Sequence, residues 1–207
     1  MTCKSISEVV EKNLCCGCGG CVLAAPEKIV MLDVPSDGLR PKITNRLTKN
    51  EERVALALCP GVSVDYKHDF SNLPIFLEHL DEWGPILGVS EGHATNEEIR
   101  YKSSSGGVIT ALSVLGLEKN LVDNVLQVGA NSDFPYVTES RLNATKDEVI
   151  NSCGSRYAPA SPCELLPKIL KSNGKSIVVG KPCDITAIYK ARKVVPELDE
   201  KISLMIS

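Results

Sequence analysis

Apolar positions change period several times along the chain, and each change predicts an element. Ile6, Val9 and Val10 recur at helical spacing behind serines, so a short helix is expected between Ser5 and Leu14. KIVMLDV and LRPKIT flank the turn-rich PSDG and predict a hairpin. Thr48 and Glu51 have capping-box spacing, so the following helix runs through Val54, Ala57 and Leu58 and delivers Cys59 at its end. Val62 to Trp83 has a mixed pattern and reads as a linker with one short helix. Beyond it, ILGVSEGH, DNVLQVGA, KSIVVG and KISLMIS read as strands. Helices are expected from RYKSSSGGVITALSVL, from a segment capped by Thr145 and Glu148, from PCELLPKILKSNG stopped by Gly174, and from PCDITAIYKARKV. Strand and helix alternate, which predicts an α/β layer with a largely parallel sheet. The expected organisation is a small α+β region of loop, helix and hairpin over residues 1–84, followed by an α/β domain over 85–207.

Composition narrows the classes. With 207 residues the chain is long enough to bury a substantial core. Its 23 Lys and Arg against 26 acidic residues give a net charge of -3, and nothing in that balance points to nucleic acid or an anionic membrane surface. No apolar run approaches a membrane span, and MTCKSISEVV lacks the regions of a signal peptide. Nine cysteines are an odd number, and their clustering suits metal thiolates in a reducing compartment better than a disulfide scaffold, so the expected location is the cytoplasm.

The densest chemistry lies in LCCGCGGCVLAAP. Cys15, Cys18 and Cys21 repeat as CxxCxxC on a Gly-rich loop that can turn three thiolates toward one point. Ferredoxin loops add a fourth Cys before a Pro, a slot held here by Ala25 and Pro26. Cys59, followed by Pro60, is the expected fourth ligand. Three ligands packed this closely favour a 4Fe-4S cluster, while four thiolates also describe a structural zinc site. Cys16 receives no role, because Cys16 and Cys18 are too close to restore the spacing.

A second candidate is the loop Ser103, Ser104, Ser105, Gly106 and Gly107, which runs directly into an apolar helix. Such a loop can offer backbone N–H groups and hydroxyls to a diphosphate, or it can be a plain helix cap. It fits neither the Walker loop nor GxGxxG. His68, His79 and His93 share no metal spacing and Trp83 reads as packing. Cys153 and Cys163 read as small buried apolar residues. Cys183, opening a helix in GKPCD, is expected to have a depressed pKa.

The CxxCxxC loop with its distant Cys-Pro, YKSSSGGVITAL, GSRYAPAS and VVGKPCDITAI, in this order along nearly the whole chain, resemble the coenzyme F420 hydrogenase/dehydrogenase beta subunit family. The resemblance implies an oxidoreductase carrying FAD and iron-sulfur, with coenzyme F420 as hydride donor or acceptor and a hydrogenase- or dehydrogenase-type subunit as redox partner. It implies that Cys15, Cys18, Cys21 and Cys59 match cluster ligands. It also implies that Ser103 to Gly107, Ser155, Arg156, Tyr157, Gly180, Lys181, Pro182 and Asp184 match segments around the flavin. Lys181 and Arg156 are natural counter-charges for phosphates or a reduced flavin, a solvated lysine or structural ion pair being the plain reading of each. Lys181 and Cys183 are the candidates for a catalytic role. Family members are about twice as long, and this chain stops inside apolar KISLMIS, so a shortened or partial member with an open sheet edge is expected. A cluster-only electron-transfer or assembly subunit and a zinc-stabilised binding module are the alternatives.

Overall fold

The computed structural model describes residues 3–64 and 86–207. Most of the linker and short helix expected between Val62 and Trp83, with His68, His79 and Trp83 themselves, lies outside the described residues.

The N-terminal part is built as local sequence rules dictate. Helix α1 (Ile6–Glu11) starts where the Ser5 side chain accepts the Glu8 N–H. After it the cysteine loop winds into a 3-10 turn, Gly20–Ala24. Strands β1 (Ile29–Val34) and β2 (Gly38–Ile43) pair antiparallel around the PSDG turn. Helix α2 (Lys49–Leu58) carries the full capping box of Thr48 and Glu51 and ends with Cys59 as its C-cap. Ile6, Cys21, Val22, Ala25, Ile29 and Ala55 form the core that joins these pieces.

The second part contains helices α3 (Glu97–Lys102) and α4 (Val108–Glu118), strands β3 (Asn124–Ala130) and β4 (Thr138–Asn143), and helix α5 (Lys146–Asn151). Helix α6 (Leu166–Lys171) follows a 3-10 turn at Pro162–Leu165, and the chain continues through β5 (Ser176–Val179), α7 (Pro182–Val194), α8 (Glu197–Lys201) and β6 (Ile202–Ile206). The sheet order is β4-β3-β5-β6. β3 pairs parallel with β5 and β5 parallel with β6, while β4 runs antiparallel to β3, so the sheet is largely parallel. Neighbouring residues on the central strands face opposite layers. Leu126 and Val178 join Leu166, Ile169, Ile188, Ala191 and Leu198 on one side, and Val125 and Ile177 join Val114, Val122, Val149 and Ile150 on the other. Burial on both faces explains why β3 and β5 read as continuous apolar runs rather than alternating ones.

Three expectations differ from the structure. ILGVSEGH forms no strand over residues 86–93, and Leu87 and Val89 are exposed, so its alternation finds no core to face. The helix expected to stop at Gly174 ends earlier, with Ser172 as its C-cap, and begins as the 3-10 turn at Pro162. VTESRLN supplies β4 although its polar content gave no strand signal; it is an edge strand with one half-exposed face. Among the described residues no helix is long and apolar enough to cross a membrane.

Candidate functional site

The cysteine loop needs its glycines. Gly17 has φ +71, and a Cβ there would lie 2.7 Å from the Leu39 carbonyl oxygen of β2. The loop is also tied to the second half of the chain: the buried Ser161 hydroxyl donates to the Gly17 carbonyl at 2.6 Å, and the Cys163 N–H donates to the Cys18 carbonyl at 3.0 Å. Cys15, Cys18, Cys21 and Cys59 all line one small apolar pocket with Ile6, Val9, Met31 and Pro41. Cys16 lines it too, although the spacing rule assigned it nothing.

Electrostatics divides the thiols into two neighbourhoods. Burial pushes Cys21 up to about 12, and the nearby Cys59 and Cys15 thiols add to the effect. Burial likewise raises Cys59. Cys18 is hydrogen-bonded by Cys16, which lowers it, but the Cys163 thiol and burial carry it well above the ordinary thiol range. Among the described residues no three His, Cys, Asp or Glu side chains converge as they would on a bound metal ion, and all nine cysteines are free. The donor set is nevertheless what a cubane cluster requires, since four thiols from two segments line one apolar pocket.

Cys183 differs from expectation. Its thiol is raised, not depressed, because it is hydrogen-bonded with Cys16, half-buried, and next to the Asp184 carboxylate, whose oxygen lies 3.9 Å away. These neighbours outweigh the helix N-terminus. Cys163 is fully buried, as expected for a small apolar residue, whereas Cys153 is half-exposed, sits 3.4 Å from the Lys102 carbonyl and lines the cavity described next.

That cavity, about 420 Å³, lies against the middle of β3 and the C-terminal end of β5. Its wall brings together Ser103, Ser104, Ser105, Gly106 and Gly107 with Ser155, Arg156, Gly180, Lys181 and Asp184. Tyr157, 97% exposed, and Pro182 lie outside the lining. Gln127, Val128 and Ser152 to Gly154 also line it, and sequence patterns gave no warning of a shared site because they are β3 interior and turn residues.

The serine loop is not a side-chain helix cap. Gly107 is the N-cap of α4 in the left-handed conformation, and no side chain caps the helix. Ser104 is used elsewhere, its oxygen accepting the Ser155 N–H at 2.6 Å and so joining two walls of the cavity. Gly106 is sterically required, since a Cβ would lie 2.6 Å from the Gly92 carbonyl oxygen. Among the described residues, Arg156 Nε is buried in this wall without a partner, and the buried Ser103 Oγ has only the weak Cys153 thiol beside it. Buried polar groups are normally satisfied, so an unpaired guanidinium N–H and a hydroxyl met only by a thiol, beside a helix N-terminus that no side chain caps, fit an anionic, hydrogen-bonding ligand. Arg156 is held in place by the carbonyls of Pro135 and Val137. Lys181 is less available. Its ammonium donates to Asp184 at 2.8 Å and to the Ala160 carbonyl at 3.3 Å, so here the structural ion pair prevails. Burial raises the Asp184 carboxyl against the opposing pull of Lys181, and the bond to Asp184 raises Lys181 despite its partial burial.

Residues 89–167 match the family described as coenzyme F420 hydrogenase/dehydrogenase, beta subunit N-term. The chain is 31% identical over 102 residues to the coenzyme F420 hydrogenase subunit beta of Methanococcus voltae, covering 48% of this chain and 36% of that protein. It is also 31% identical over 111 residues to the subunit of the same name from Methanosarcina barkeri, covering 53% of this chain and 38% of the relative. The chain therefore spans well under half of the length of these relatives. A chain of the F420-reducing [NiFe] hydrogenase complex from Methanosarcina barkeri superposes with a TM-score of 0.51 at 25% identity, over 55% of this chain and 40% of that one. The matched region contains the serine loop, Cys153 and Arg156, which are the cavity's most distinctive features. Residues 89–167 are thus similar to the N-terminal part of the coenzyme F420 hydrogenase/dehydrogenase beta subunit family.

Proposed function

We propose that this chain is an iron-sulfur flavoprotein unit that passes electrons between coenzyme F420 and a redox partner subunit. The observation that carries the reading is the cavity wall: three segments far apart in sequence meet around about 420 Å³, with Arg156 Nε buried and without a partner among the described residues. That volume is in the range of small-molecule and cofactor sites. The residues that would hold FAD are the α4 N-terminus with Ser103, Ser105 and Gly106 toward the diphosphate, and Arg156 as its counter-charge. Lys181 would serve as a fixed positive charge on the wall, oriented by Asp184. Cys15, Cys18, Cys21 and Cys59 would hold a 4Fe-4S cluster in the small apolar pocket they line.

Bound together, the two groups supply a conversion between the two-electron hydride chemistry of a deazaflavin and the one-electron chemistry of a partner. The chain's own work is binding and orientation. The apolar lining of the cysteine pocket holds Cys18 and Cys21 buried, and the Ser104 bond to Ser155 fixes the distance between two cavity walls.

The test is anaerobic purification with analysis of flavin, iron, sulfide and zinc, followed by turnover of reduced F420 against a viologen dye. The expected sample is yellow-brown, contains FAD with iron and sulfide, and reduces the dye. Iron without flavin would leave a cluster-only electron-transfer subunit. Zinc without iron would leave a binding module.

A further inference from the structure

One lysine of helix α7 reaches across to the cysteine pocket. Lys190 Nζ donates to the carbonyl of Cys59 at 2.5 Å, to the carbonyl of Ser63 at 2.8 Å and to the Ser63 hydroxyl at 3.1 Å. A protonated amine has three N–H donors and no acceptor capacity, so three acceptor oxygens match the charged form. Burial pulls the Lys190 ammonium below its ordinary value, and the thiols of Cys59 and Cys18 oppose that shift. The residue held is also telling. Cys59 is the C-cap of α2, where the helix leaves unsatisfied carbonyls and a partial negative charge. Lys190 therefore fixes the backbone of one thiol and places a cation beside the group of thiols.

We propose that Lys190 is a positioning and potential-setting residue: it anchors Cys59 and makes the cluster held by Cys15, Cys18, Cys21 and Cys59 easier to reduce. This rests on the iron-sulfur reading of the pocket. Each electron added to a thiolate-ligated cluster increases its negative charge, and a nearby fixed cation that is poorly screened stabilises the reduced form more than the oxidised one. Residues that orient a ligand from behind also alter how firmly it binds.

The experiment compares the intact protein with Lys190→Met, Lys190→Gln and Lys190→Arg, all purified anaerobically, with iron and sulfide measured before redox titration followed by EPR. Lys190→Met removes both charge and donors. Lys190→Gln keeps an amide donor without the charge, and Lys190→Arg keeps the charge. The expected result is a more negative midpoint potential for the Met and Gln variants at unchanged iron content, with Arg close to the unmodified protein. Faster loss of iron to a chelator is expected for Met than for Gln. A Gln variant with the unmodified potential overturns the proposal and leaves Lys190 as a mechanical clamp. Arg shifting as far as Gln overturns it as well. Unmodified protein with zinc or no metal removes the cluster itself, an outcome read from the metal analysis before any variant is compared.

Discussion

Ser161→Ala should loosen the cysteine loop without touching any thiol. The Ser161 side chain is buried, 1% exposed, and its hydroxyl donates to the equally buried Gly17 carbonyl at 2.6 Å across a long sequence separation. Removing the hydroxyl leaves that carbonyl without its donor, and stranding one buried partner costs about 1–3 kcal/mol, more than the net value of an average hydrogen bond. For a chain of this size each kcal/mol corresponds to roughly 2–4 °C in Tm. The expected outcome is a loss of about 1–3 kcal/mol in urea unfolding, together with faster iron release to a chelator. Ser172→Ala is the control, because its hydroxyl bonds only the Ile169 carbonyl one turn back, in a half-buried position where water can substitute. It should cost well under half as much. A Ser161→Ala protein within about 0.5 kcal/mol of the unmodified one, an ordinary value for neutral surface changes, would refute the claim that this bond fastens the loop.

Three further outcomes are expected. Ser105→Asp should sharply weaken flavin retention while iron stays bound, since it sets a carboxylate on the exposed part of the α4 approach; undiminished flavin would remove the diphosphate from that helix end. Cys59→Ser should lower bound iron about as much as Cys18→Ser, and Cys16→Ser should leave iron in place, as measured by metal analysis; iron lost equally in Cys16→Ser would make Cys16 part of the donor set. Glu51→Gln should destabilise the protein at neutral pH, with the difference closing as pH falls. The Lys28 ammonium at 2.7 Å and the Thr48 N–H hold the Glu51 carboxyl below its ordinary value, so its contribution is present above the unfolded pKa and is lost on acidification through the folded one; parallel stability curves of the two proteins down to acid would refute this.

The sequence was most legible where local chemistry decides structure. Ser5, the pair Thr48 and Glu51, and the pair Thr145 and Glu148 mark helix starts by hydrogen bonds made within one turn, and all three caps form. The hairpin and the buried strands β3 and β5 follow from turn residues and apolar runs. ILGVSEGH misled because strand periodicity has meaning only against a core, and this segment meets none over residues 86–93. β4 was hidden for the opposite reason: its pairing with β3 is supplied by backbone hydrogen bonds that leave little mark on side-chain pattern. The cavity's serines, glycines and Arg156 could be named, but their meeting could not, since Ser104 and Ser155 touch only through the fold. Cys183 shows the limit of a local rule, because its helix-start position predicts a lowered thiol and its tertiary neighbours Cys16 and Asp184 reverse the sign.

Those neighbours also show why the two pockets cannot be treated separately. Along α7, Asp184 lines the large cavity, Ala187 packs where a Cβ on Gly20 would come within 3.0 Å, and Lys190 grips Cys59. The three positions recur every third residue and so lie along one side of the helix. At the helical rise of about 1.5 Å per residue they span roughly 9 Å. A rigid element this short leaves little freedom for the cysteine loop to move without moving the Lys181 and Asp184 wall. Gly20 is small for the same reason, because a side chain there would wedge the loop away from α7 and lengthen the separation between the pockets. The motif GKPCDITAIYK thus does two jobs at once. Its opening residues shape the cavity proposed to take the flavin, and its last lysine holds the backbone carbonyl of Cys59. Under the proposed function, a single helix touching both pockets would set the separation of the two groups by structure rather than by diffusion.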